Sequence, residues 1–103
     1  MDITTLLPEV KRYLKITWNE EDEELKDLLQ GGKYYLEGKT GVQLDFSTNF
    51  KAKQLLKDYC RYVYNHTFEL FEINFGHELT TLAIEEGVKQ HVAESAETDT
   101  SSI

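Results

Sequence analysis

NEEDEELKDLLQGGKYYLEGKTG, residues Asn19 to Gly41, is the stretch whose reading decides the fold class. Leu25, Leu28, Leu29, Gly32, Tyr35 and Leu36 recur at helical spacing, with Lys26, Asp27, Lys33 and Glu37 outside the stripe, so the stretch is an amphipathic helix. The acids Glu20 to Glu24 suit its start, where free backbone N–H groups carry partial positive charge. Asn19 is the N-cap candidate, with Asp22 three residues on as in a capping box, and Thr40-Gly41 closes the helix. Gly31 and Gly32 sit in the middle, where each costs roughly 1 kcal/mol against alanine. Because Gly32 falls on the apolar stripe, the expectation is that a neighbouring helix or its aromatic side chains press against the backbone there. A kink is the other reading.

On the N-terminal side, Leu6, Leu7, Val10, Tyr13 and Leu14 form a shorter helix, with Pro8 in its first turn and Thr4 or Thr5 as caps. On the C-terminal side, Val42 to Thr48 reads as a connection, extended or hairpin-like, with Leu44 and Phe46 as apolar pegs. Asn49 or Thr48 then caps a third helix through Ala52, Leu55, Leu56, Tyr59, Cys60 and Val63 and on toward Thr67 and Leu70, the longest helical pattern in the chain and the expected central element. Tyr59, Tyr62, Tyr64, Phe68 and Phe71 exceed what one helix face holds and should meet other elements or another chain. The pattern breaks at Asn74 to Gly76, and Leu79, Leu82, Ala83 and Val88 outline a last short helix ending near Gly87. The fold class is all-α, a bundle of about four helices over residues 1–88, followed by a polar, acidic tail from Lys89 to Ile103 too poor in apolar surface to order by itself.

The chain has 103 residues, enough for one domain, with eleven basic against nineteen acidic residues and a formal charge of −8. Such a charge repels a phosphate backbone. It also argues against a helix-turn-helix role, since the second helix would carry five acids into the groove. One cysteine, Cys60, forms no internal bridge, and no apolar run suits a signal peptide or membrane span, so a reducing cytoplasm is expected. The HELTT stretch from His77 lacks the second histidine of a zinc protease motif, and His66, His77 and His91 are too scattered for a metal cluster. No phosphate-binding glycine loop occurs. Cys60 falls on a buried stripe, where a packed thiol is inert. These patterns point away from catalysis, and no metal or cofactor is expected.

Three stretches carry a family resemblance: LPEVKRYLKIT from Leu7, EEDEELKDLLQGGKYYLEGKTG from Glu20 and FKAKQLLKDYCRYVYNHT from Phe50. In order and spacing they resemble the small head-tail connector (head-completion, DNA-packaging adaptor) proteins of tailed bacteriophages, which usually have alanines where this chain has Gly31 and Gly32. The resemblance implies an all-α, non-enzymatic virion subunit. It would form a homo-oligomeric ring, most often of twelve, beneath the portal protein, and would extend the DNA channel without binding DNA specifically. It would also offer a platform to the next head-completion or tail protein. The chain would then work at the head-tail interface of the virion, after assembly in the host cytoplasm and away from any membrane.

On that reading Glu20, Glu21, Glu23 and Glu24 are candidate channel-facing acids, and Gly32 is a packing residue. Ile84, Val88, Val92 and Ala96 form a helical docking segment that orders once a partner covers one side. From a different class, a small acidic helical module that binds one protein as a regulator or inhibitor fits the same composition.

Overall fold

The computed structural model describes the backbone of residues 2–102 and the side chains of residues 2–90. A 3-10 turn, Ile3–Leu6, leads into α1 (Leu7–Leu14); α2 (Asp22–Thr40) and α3 (Phe50–Tyr64) follow, and a second 3-10 turn, Phe68–Leu70, precedes α4 (Phe71–Ser102). The protein is an all-α bundle of four helices, with no strand among the described residues. At its centre α2 and α3 lie against each other, and each also touches α1 and α4.

The caps depart in part from expectation. Asp2, not Thr4 or Thr5, caps the first turn, accepting from the Thr4 N–H at 3.0 Å. Helix α1 has Pro8 in its first turn and ends where Lys15 turns left-handed at φ 61°. Asn19 does not cap α2: its side chain accepts from Lys11 Nζ at 2.7 Å, and the helix starts after Glu21, with Asp22, Glu23 and Glu24 in the first turn. Lys11 also pairs with Asp22 at 2.8 Å, so one cation on α1 engages both residues of the expected capping box. Gly41 ends α2 in the left-handed region at φ 73°, its N–H donating to Glu37 O, as the Thr-Gly pair predicts.

Gly32 is buried, and a Cβ built on it would stand 2.5 Å from Leu56 Cδ1 and 2.8 Å from Tyr59 Cδ1. The helix runs through without a break, so close approach is the reason for this glycine. Gly31 next to it is exposed, and its added Cβ would meet nothing nearer than the Tyr59 hydroxyl at 3.5 Å.

Between α2 and α3, residue 42 is a bend, residues 43–45 are irregular and residues 46–48 form a turn, with no strand or hairpin in the stretch. Leu44 and Phe46 are nevertheless the expected pegs, both buried in the core. The backbone that a ladder would have satisfied finds side chains instead: Glu37 accepts from Leu44 N at 2.8 Å, and Asp45 from Ser47 N at 2.9 Å. Asn49 caps α3 by accepting from Ala52 N at 3.0 Å. Helix α3 stops at Tyr64, short of the expected Thr67 and Leu70, because His66 takes a left-handed φ of 60°.

The expected break at Asn74 to Gly76 is absent. Helix α4 is continuous from Phe71, since burial of Phe71, Leu79 and Leu82 with the half-buried Phe75 outweighs one helical glycine. Nor does it end at Gly87, and residue 88 lies within it. The polar tail expected from Lys89 falls, from residue 91, outside the described side chains.

Candidate functional site

Helix α4 has two apolar faces. Phe71, Phe75, Leu79 and Leu82 share one side, spanning about 80° at 3.6 residues per turn, and face the core. Ile73, Ile84 and Val88 share the opposite side with His77 and Thr80, yet they are 77%, 61% and 57% exposed. From Ile73 to Val88 this outer stripe runs about 22 Å without a charged side chain. Gly76 and Gly87 border it, with nothing within 4 Å of an added Cβ at either, so another backbone could come close. Beside the stripe lies a cleft of about 350 Å³ lined by Lys39, Glu72, Gly76, Leu79, Thr80, Ala83 and Ile84.

An aromatic cluster positions this helix. Tyr35 of α2, Tyr59 and Tyr62 of α3, Phe68 of the second 3-10 turn, and Phe71 and Phe75 of α4 meet with ring centroids 5.1 to 6.1 Å apart, mostly edge to face. The aromatic surplus read from the sequence is thus largely absorbed within the chain. Burial pushes the Tyr35 hydroxyl well above its ordinary range, as does its donation to Glu72. Glu72 is held below the usual carboxylate range by Lys39, which pairs with it at 2.8 Å, and by Tyr35. Farther along α4, Asn49 Nδ2 donates to Glu86 Oε1 at 2.7 Å, Lys51 pairs with Glu85 at 2.8 Å, and Gln90 Nε2 donates to Gln43 O at 3.1 Å. These contacts fix the inner side and leave the outer stripe toward solvent.

Of the expected docking segment, Ile84 and Val88 lie on this stripe, while Val92 and Ala96 are outside the described side chains. Ile73 belongs to it but was hidden behind the helix break expected at Asn74 to Gly76. Its signal in the sequence is the spacing of residues 73, 77, 80, 84 and 88.

The four candidate acids do not form one surface of equivalent charges. Glu21 is half-buried and accepts from Trp18 Nε1 at 2.5 Å and from the Tyr64 hydroxyl at 3.0 Å. Glu23 pairs with Lys26 at 3.2 Å, an exposed contact of little energetic consequence. Glu20 and Glu24 have no ion-pair partner among the described residues. Glu21 and Glu24 also border a cleft of about 460 Å³ with Leu25, Leu28, Val63, Tyr64 and His66 at the joint of α2 and α3.

Cys60 is fully buried, and burial pushes its thiol up to about 12, which disfavours the thiolate and suits a packing residue. Asp58 is the buried carboxylate of α3. It accepts from the Tyr13 hydroxyl and, at 3.4 Å, from Gln54 Nε2, with Arg61 3.6 Å away. Burial and this bond to a carboxylate raise the Tyr13 pKa. No group of three or more metal-ligating side chains occurs among the described residues.

Comparison with protein-family models, curated proteins and solved structures gave no match.

Proposed function

We propose that the chain is a structural subunit of a phage virion, a head-tail connector that stacks as a ring beneath the portal and extends the DNA channel. The observation that carries this reading is the outer face of α4. Ile73, Ile84 and Val88 remain in water on a helix whose inner side already fills the core. A helix apolar on both sides is completed by burial against another protein. With its net charge of −8 the subunit would let duplex DNA slide past without adhering. Ile84 and Val88 meet the portal or the next head-completion protein, and Glu20 and Glu24 are left for the channel wall or a neighbouring copy. In this role the chain carries out no chemistry.

The cleft bordered by Glu21 and Glu24 favours a second reading, a regulator that holds one basic, apolar segment of another protein. Electron microscopy separates the two. Mixed with portal-bearing heads that lack it, the connector adds a ring of density under the portal; a regulator leaves the heads unchanged and forms a one-to-one complex with its target.

A further inference from the structure

The outer face of α4 has two edges of different size. At 3.6 residues per turn His77, Ile84 and Val88 fall along one edge, and Gly76, Thr80 and Gly87 along the other. The first edge is bulky and exposed. The second is small: an added Cβ at Gly76 or Gly87 would meet nothing within 4 Å, and the Thr80 hydroxyl already donates to Gly76 O at 3.0 Å, so its hydrogen is spent within the helix. Neither edge carries an acid, a lysine or an arginine.

These edges complement each other when a second copy runs antiparallel about a two-fold axis at the level of Leu82. Residues equally far from Leu82 along the helix then share a level, which sets Ile84 beside Thr80 of the second copy, Val88 beside its Gly76 and His77 beside its Gly87. Each bulky side chain meets a small one, and the two-fold repeats every pair, as an isologous contact requires. A parallel pair would set Ile84 against Ile84 and Gly87 against Gly87, crowding some levels and leaving others hollow. Beside the seam, Glu78 is exposed and has no ion-pair partner among the described residues; it comes next to the Lys51–Glu85 pair of the second copy, where a lysine is at hand for both carboxylates. The stripe is about 22 Å long on a helix about 10 Å wide and offers about 220 Å², well under the roughly 800 Å² per partner of a standard interface, so such a pair forms at high concentration and parts readily.

We infer that two copies of the free chain pair through the outer faces of their α4 helices, antiparallel and two-fold, with the Ile84 edge of each on the Gly76–Thr80–Gly87 edge of the other. An isologous contact closes on itself, so the assembly stops at a dimer. The pairing goes beyond the connector reading and stands apart from it: a portal that takes the same face displaces the second copy, and the apolar side chains are covered before docking as well as after.

Sedimentation of the full chain tests it. Wild type should be a reversible monomer–dimer system at about 0.1 to 1 mM, with nothing larger. Ile84→Asp should weaken the dimer about tenfold or more, because the two-fold removes its contact twice, and so should Gly87→Leu, which fills the space that His77 of the second copy needs. Gly38→Leu, at an equally open glycine of α2, should leave the dimer unchanged. Circular dichroism checks that the variants are folded, and Ile84→Ser stands in for either that is not; it too should weaken the pair. Register is read by cross-linking under mild oxidation: Thr80→Cys mixed with Ile84→Cys should give the mixed disulfide dimer in excess of either like pair, Cys60 being fully buried. A wild type still monomeric at about 1 mM overturns the inference, as do a dimer indifferent to both seam substitutions, growth beyond the dimer, and cross-links dominated by like pairs. A dimer that behaves as expected while the chain adds no ring to portal-bearing heads strikes the connector reading alone; a strict monomer that adds its ring strikes the pairing alone.

Discussion

Where α2 meets α3 the chain has given up a side chain to bring two helices together; on the outer side of α4 it keeps three large apolar side chains in water. The first is a contact completed inside the molecule: Gly32 leaves room for Leu56 and Tyr59 and for nothing more. The second is incomplete, since Ile73, Ile84 and Val88 would each contribute about 1.5 to 3 kcal/mol if covered fully. Similar apolar residues therefore have different consequences. In the seam they set stability, and on α4 they leave an apolar surface in water, which the proposed connector role would cover.

The largest expected effect breaks the seam. Gly32→Leu should destabilise the fold by about 3 kcal/mol, because Leu56 and Tyr59 would have to leave their rotamers or the helices would have to separate. Gly31→Ala is the paired control. Its Cβ makes an ordinary contact and its helical backbone suits alanine, so stability should be unchanged or rise by about 0.5 to 1 kcal/mol. Urea melts of the two variants check both numbers.

Next in size is the buried carboxylate. Asp58→Ala leaves the Tyr13 hydroxyl without its acceptor and Arg61 without its nearest carboxylate, and should cost about 2 kcal/mol. Tyr13→Phe on the Asp58→Ala background should then add little, which a double-mutant cycle measures.

Acidity sharpens the comparison from another side. The carboxyls of Asp2, Asp45 and Glu72 are lowered in the fold, so what they contribute is present above their unfolded values near 4 and is lost as pH falls through the folded ones. Tyr13, Tyr35 and Tyr59 are raised, chiefly by burial, so stability should hold below the unfolded value of 10.0 and decline as pH rises through the folded ones. A pH series of thermal melts should show both declines, the alkaline one tracking tyrosinate absorbance at unfolding. Cys60 should be unreactive to a thiol reagent until the chain unfolds.

Much of the seam was legible in the sequence because helical spacing reports burial directly. The stripe from Leu25 to Leu36 and the place of Gly32 on it follow from spacing alone, and Asn49 announces α3 by its type and position. The α4 region was less legible for the same physical reason. A helix with apolar residues on both sides has almost no periodic contrast, and Gly76 there looks like punctuation. Only packing of Phe71, Phe75, Leu79 and Leu82 against Tyr35, Tyr59 and Tyr62 shows that the helix passes through and leaves Ile73 outside. Asn19 fails as the cap of α2 because Lys11 claims its side chain, a contact eight residues away that no local motif encodes, whereas the Asp2 cap is local, its carboxylate accepting from the Thr4 N–H two residues on.

The smallest expected change in stability accompanies the largest expected change in function. Replacing Ile73, Ile84 and Val88 together by serine removes only exposed side chains and should shift the unfolding free energy by no more than about 0.5 kcal/mol per site. Measuring the melting midpoint and the attachment to portal-bearing heads on the same preparation of this variant tests the account at its centre. The account predicts a midpoint close to that of the unaltered chain together with loss of attachment. A protein that melts far earlier, or one that melts normally and still adds its ring beneath the portal, would contradict it.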